Sequence, residues 1–285
     1  YMEYVKRRRL TSFVLLGLLL LIAGLVAGCG RQEVADKMDG QQLRGTITVA
    51  GSTSVQPFSD VLAEEFMKTH PGVQIDIQGG GSSQGIQATV SGAADIGASS
   101  RELKPEEKSQ GLVETTIALD GIAIIVNPSN SVNDITLDDL RNVYLGNIKN
   151  WKELGGKDSP ITVVCREAGS GTRGAFEELI MNKQNVSNQV IIQNSTGAVK
   201  TTVAGYEKAI GFVSMAGIDQ DVKILKFDGV EPSVANVKNG SYKMSRPFIY
   251  LTKGEAQGLT KAFIDFVLSD KGQALMQEEG AITVK

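Results

Sequence analysis

The chain has 285 residues, 41% hydrophobic and 21% charged, with a formal net charge of −3 at pH 7. This is globular composition with room for two medium lobes, and it excludes a repeat array or a low-complexity chain. The acidic balance argues against a nucleic-acid partner, which needs a basic surface.

Lys6, Arg7, Arg8 and Arg9 form a basic head, no residue from Leu10 to Gly28 is charged, and the small residues Ala27 and Gly28 precede Cys29. That layout predicts a secretory signal over residues 1–28. Its cut site resembles the lipobox of bacterial lipoproteins, which implies a lipid on Cys29. The alternative is an uncleaved anchor, since the stretch is long enough to span a bilayer. Removing it leaves 25 basic and 31 acidic residues, a net charge of −6. Any anion site must therefore be built locally, from aimed donors. Residues 29–44 are polar and aperiodic, and read as a tether.

A pattern then recurs: a short β-branched run, a loop of small polar residues, and a helix. The spacing predicts a strand over 46–50 and a helix carrying Phe58, Leu62 and Phe66, with Pro57 in its first turn. A second strand is expected over 73–78 with a helix from near Ser83, and a third over 95–98 with a turn at Ser99-Ser100. Apolar runs at 121–129 and 246–253 suit strands passing between two lobes. "ITVVCREAGSGTRGAFEELIM" and "VIIQNSTGAVKTTVAGY" repeat the strand–loop–helix unit, and Phe263, Phe266 and Val267 mark a last helix packing back onto the first lobe. Alternating strands and helices predict an α/β fold with a mainly parallel sheet, whose ligand sits beyond the carboxyl ends of the strands.

Those ends carry the loops Ser52-Thr53-Ser54, Gly81-Ser82-Ser83, Gly169-Ser170-Gly171-Thr172 and Ser195-Thr196-Gly197. Each offers unpaired backbone N–H groups at a helix start, hydroxyl donors and glycines that allow close approach. Together they describe an oxyanion cradle. Any one loop reads equally as a helix cap. Arg166, just past a strand and four residues before Ser170, suits a guanidinium gripping two oxygens of a tetrahedral anion, or else a surface pair with Glu167. Cys165 reads as a buried small hydrophobe or, less simply, a reactive thiol.

Enzyme readings lack parts. The one histidine, His70, falls in a turn where exposure is the default, so no Ser-His-Asp set assembles; a His/Cys metal cluster and the P-loop lysine are missing. No cofactor and no metal are expected. A secreted phosphatase using a loop serine stands as the enzyme alternative.

The segments "VAGSTSVQPF", "GGGSSQGIQ", "ADIGASSREL", "ALDGIAIIVNP", "LRNVYLGNIKNWKELGG", "REAGSGTRGAF" and "AIGFVS" together resemble the phosphate-binding lipoproteins (PstS type) of bacterial phosphate ABC transporters, over nearly everything from residue 45 onward. The resemblance implies the two-lobed type II periplasmic-binding-protein fold. It implies lobe I over 45–125 and 246–285, lobe II over 126–245, and one dehydrated phosphate in the cleft. It carries phosphate contacts onto Thr53, Ser54, Ser82, Ser100, Arg166, Ser170, Gly171 and Thr172. Some relatives have an aspartate after "GAS" to accept the proton of hydrogen phosphate; here Ser100 and Arg101 follow. Asp120 is then the candidate acceptor, or else a turn residue. Arg101 is a second cation at the site or a partner of Glu102, Ser83 is a further candidate contact, and Trp151 packs the second lobe. The implied partners are inorganic phosphate, the permease subunits and, through Cys29, the membrane. The implied location is the outer face of the cytoplasmic membrane, or the periplasm, and the implied state a monomer. Sulfate, molybdate or tungstate is the alternative ligand.

Overall fold

The computed structural model describes residues 42–182 and 184–284. The expected signal at 1–28, Cys29 and the tether up to residue 41 lie outside the described residues. Strands β1 (Gly45–Gly51), β2 (Val73–Gly79), β3 (Ile96–Ser99) and β4 (Leu112–Val126) come from the first part of the chain. Then follow β5 (Asp134–Ile135), β6 (Thr162–Arg166), β7 (Ile191–Gln193), β8 (Ala209–Ser214), β9 (Lys223–Ile224), β10 (Lys226–Phe227) and β11 (Ser245–Lys253). The main sheet runs β2-β1-β3-β11-β4-β8-β6-β7, with β9 paired to β4, and β5 with β10 forms a separate ribbon.

The sheet is mixed rather than mainly parallel. β1 pairs in parallel with β2 and β3, and β6 with β7 and β8. The long β4 and β11, however, are antiparallel to each other and to the strands flanking them. These are the two apolar runs expected to cross between lobes. β4 starts nine residues earlier than its apolar run, because residues 112–120 pair with β11 along a half-exposed edge. A crossing strand and its return must run in opposite directions, which fixes the antiparallel centre.

The helices are α1 (Gln56–Thr69), α2 (Ser82–Ser91), α3 (Pro105–Lys108), α4 (Leu137–Leu145), α5 (Gly171–Leu179), α6 (Thr196–Gly205), α7 (Val234–Lys238), α8 (Gly258–Val267) and α9 (Asp270–Glu278). α1 buries Phe58, Leu62 and Phe66 at the expected spacing, with proline in its first turn. Among the described residues no helix is long and apolar enough to cross a membrane.

Two large apolar clusters flank the crossing strands. One joins Ile47, Phe58, Leu62 and Phe66 to Phe248, Tyr250, Phe263 and Val267, so the last helices do pack back on the early elements. The other gathers Ile122, Ile124, Tyr144, Trp151, Phe176 and Phe212, and contains Trp151 as expected, its Nε1 donating to the Lys208 carbonyl at 3.0 Å. Cys165 is fully buried there, and burial pushes its thiol up to about 11, a structural rather than a reactive setting. His70 is half-buried rather than exposed, because its ring stacks on Phe66 with centroids 4.2 Å apart.

Candidate functional site

The cap question is answered loop by loop. Hydroxyls free of capping work can serve a ligand. The N-cap position of α1 is Val55 and that of α2 is Gly81, and neither makes a side-chain cap bond, so Ser52, Thr53, Ser54 and Ser82 do not cap their own helices. In α5 and α6 the capping goes to one residue each. Ser170 accepts from the Arg173 N–H at 3.2 Å and Ser195 from the Ala198 N–H at 3.1 Å, leaving Thr172 and Thr196 available.

Those available hydroxyls meet. Ser54 Oγ lies 3.0 Å from Thr172 Oγ1 and 2.9 Å from Thr196 Oγ1, joining residues 118 and 142 positions apart. Thr53 Oγ1 accepts from the Thr196 N–H at 3.3 Å. Beside them, Ser52 Oγ donates to Ser100 Oγ at 2.8 Å, and the Ser100 N–H donates to Ser82 Oγ at 3.1 Å. The Ser83 N–H donates to the Gly169 carbonyl at 3.1 Å, tying the second loop to the third. Gly171 sits where a Cβ would overlap the hydroxyls of Ser82 and Ser100, so only glycine permits this approach. Gly171 and Thr172 occupy the first turn of α5, whose N–H groups have no intrahelical partner.

Arg166 is 2% exposed. Its guanidinium makes the Glu167 pair, buried rather than at the surface, and also reaches the hydroxyls of two loops. Nε and Nη2 hold Glu167 in a fork at 2.8 and 2.9 Å, while Nη1 and Nη2 also donate to Thr196 Oγ1 at 3.3 Å and Thr53 Oγ1 at 3.2 Å. The carboxylate fixes the orientation of the fork, and the remaining hydrogens point into the cradle.

The other candidates lie further back. Arg101 pairs with Glu107, at 2.7 and 2.8 Å, and not with the Glu102 side chain, whose residue contributes only its carbonyl. Burial opposes ionisation of Glu107, yet the Arg101 and Lys104 hydrogen bonds win and hold its carboxyl below the usual range. Arg101 touches the site through Ser83 Oγ at 3.2 Å. Asp120 is fully buried, and its carboxylate already receives Arg246 at 2.8 and 2.9 Å and Ser214 at 2.8 Å. Burial pushes Asp120 up and Arg246 down from their usual ranges, each resisted by the other, and the nearby Arg166 charge lowers Arg246 further.

Thr196 lies in one of the four cradle loops but is absent from the contacts that the resemblance implies, and the structure places its hydroxyl among them. Its signal was the shared strand–loop–helix pattern. Arg246 had no signal, because "SRPF" reads as the edge of a strand.

The description "PBP superfamily domain" fits residues 39–271. Phosphate-binding protein PstS of Bacillus subtilis (strain 168) is 35% identical over 98% of this chain and 95% of its own length. A solved ABC phosphate-transport substrate-binding protein from Clostridium perfringens, with bound phosphate, is 45% identical over 85% of this chain and 100% of that one, with a TM-score of 0.83. An ABC-type phosphate transport receptor from Vibrio cholerae is 40% identical over 83% of this chain and 99% of that one, with a TM-score of 0.72. The chain belongs to the PBP superfamily and, within it, to the PstS phosphate-binding proteins, a family of transport receptors and not of enzymes.

Proposed function

We propose that this protein captures inorganic phosphate outside the cytoplasmic membrane and delivers it to the permease of a phosphate ABC transporter. Binding is non-covalent. A lobe of residues 45–125 and 246–285 closes on a lobe of residues 126–245, and transfer requires reopening. The observation that carries the reading is the meeting of hydroxyls from three separated loops, at Thr53 and Ser54, Thr172 and Thr196, beside one buried, carboxylate-braced guanidinium that donates to two of them. Thr53, Ser54, Ser82, Ser100 and Thr172 supply hydroxyls, Gly171 and Thr172 supply N–H groups, and Arg166 supplies the charged fork. Ser170 holds the start of α5 while its loop presents those N–H groups.

The protein acts as a monomer anchored by a lipid on Cys29, so Cys29→Ser should move it from the membrane fraction to the soluble fraction of expressing cells. Equal membrane retention would remove the anchor. Calorimetric titration with phosphate, in competition with sulfate, molybdate and tungstate across pH, tests the ligand. Phosphate should win at each pH, and sulfate displacing it at equal concentration would reassign the ligand within the tetrahedral oxyanions.

A further inference from the structure

Behind the cradle runs a chain of buried polar contacts that the anion-binding scheme does not use. Ser214, at the end of β8, donates its hydroxyl to Asp120 Oδ1 on β4 at 2.8 Å. Asp120 Oδ2 takes Nε and Nη2 of Arg246 on β11, its direct cross-strand partner. Arg246 Nη1 then donates to the carbonyl of Ser100, just past β3, at 3.2 Å. Ser100 is the residue whose N–H and hydroxyl touch Ser82 and Ser52 in the cradle. All four residues are 3% exposed or less.

The chain thus spans the sheet from β8 to β3 across both crossing strands. Close by, the β4–β11 register slips between Phe248 and Ile249, leaving Ile117 without a partner in β11. Such an irregularity bends a strand pair locally. An ion pair this deep is weak evidence for stability, because its desolvation offsets its attraction. What distinguishes this one is the third hydrogen bond, which fixes the peptide plane after Ser100.

We propose that Arg246, held by Asp120 and Ser214, is a positioning residue that sets the Ser100 turn in the anion cradle and couples it to β8 across the crossing strands. The proposal rests on the phosphate reading above. Ser100 carries a hydroxyl where an acidic side chain would bring its own fixed acceptor. A hydroxyl orients an anion only if its backbone is held, and Arg246 holds it.

The test is a double-mutant cycle read by calorimetric phosphate titration of the full chain. Ser100→Ala is made in the native protein, in Arg246→Lys and in Ser214→Ala. Lysine keeps the charge toward Asp120 but cannot make the forked contact and the Ser100 bond together. Arg246→Lys alone should weaken phosphate about tenfold, and Ser100→Ala, costly in the native protein, should then have less than about a twofold further effect. Ser214→Ala, which deletes one hydroxyl and leaves the ion pair, should show the same non-additivity in weaker form and serves if Arg246→Lys fails to fold. Effects that simply multiply in the folded variants overturn the proposal while leaving phosphate capture intact. A native protein that takes up neither phosphate nor another tetrahedral oxyanion would end both.

Discussion

Consider Arg166→Met, which keeps an unbranched apolar stem and removes the guanidinium with its hydrogens. The native guanidinium aims Nη1 at Thr196 and Nη2 at Thr53, at 3.3 and 3.2 Å, and a bound anion would take those two hydrogens. Hydrogen bonds to charged groups contribute about 1.5–3 kcal/mol each, so losing two costs about 3–6 kcal/mol. That corresponds to a rise in phosphate Kd of about 10²- to 10⁴-fold. The variant also strands Glu167, whose two oxygens are now held at 2.8 and 2.9 Å by the missing group. An unpaired carboxylate beside an anion repels it, so Arg166→Met/Glu167→Gln should bind more tightly than Arg166→Met alone, by about tenfold. Calorimetry at fixed ionic strength measures all three proteins, with the thermal midpoint reporting whether each is folded. A folded Arg166→Met protein within about threefold of native affinity, or a double variant weaker than the single, would refute the assignment of the cradle.

Gly171→Ala places a methyl against the Ser82 and Ser100 hydroxyls and should weaken phosphate by about tenfold or more while lowering stability by about 1–3 kcal/mol; titration with a parallel melt checks it. Ser100→Asp supplies a fixed acceptor and should raise the preference for phosphate over sulfate, which has no proton to give, in competition titrations near pH 7; an unchanged ratio would show that the turn does not read the proton. Burial lifts the Cys165 thiol to about 11 and holds Tyr144, Tyr242 and Tyr250 above the usual phenol range. The unfolded chain loses these protons first, so these groups lower stability as pH rises from about 8.5 toward 11. Urea midpoints should fall over that range, and by less in Cys165→Ala relative to its own value at pH 8. In the folded protein at pH 8, a maleimide should leave Cys165 unmodified.

Much of the site was legible because the loops repeat a local grammar. A strand, a Ser/Thr/Gly turn and an amphipathic helix can be read from spacing alone, and Thr53, Ser54, Ser82 and Thr172 all come from such turns. The sequence could not say which hydroxyl caps and which is available. Ser170 and Thr172 lie two residues apart in one turn, and only the backbone geometry at the start of α5 assigns the cap to the first. The direction of the central strands is hidden in the sequence for a related reason. Apolar runs report burial on both faces, and burial is the same for parallel and antiparallel neighbours. The Asp120–Arg246 pair was least visible. Its partners are 126 residues apart, and the register of β4 against β11 brings them together.

The guanidiniums of Arg166 and Arg246 arrive at the cradle with their own carboxylates, Glu167 and Asp120. These two couples are electrically balanced, and the chain as a whole is acidic at −3. Neither couple therefore offers a distant ion a net attractive field, and beyond a Debye length of about 8 Å in physiological salt any residual field is damped. Encounter should proceed at an unsteered rate, nearly indifferent to added sodium chloride, and tight retention must come from slow escape once oriented dipoles have replaced the ion's water.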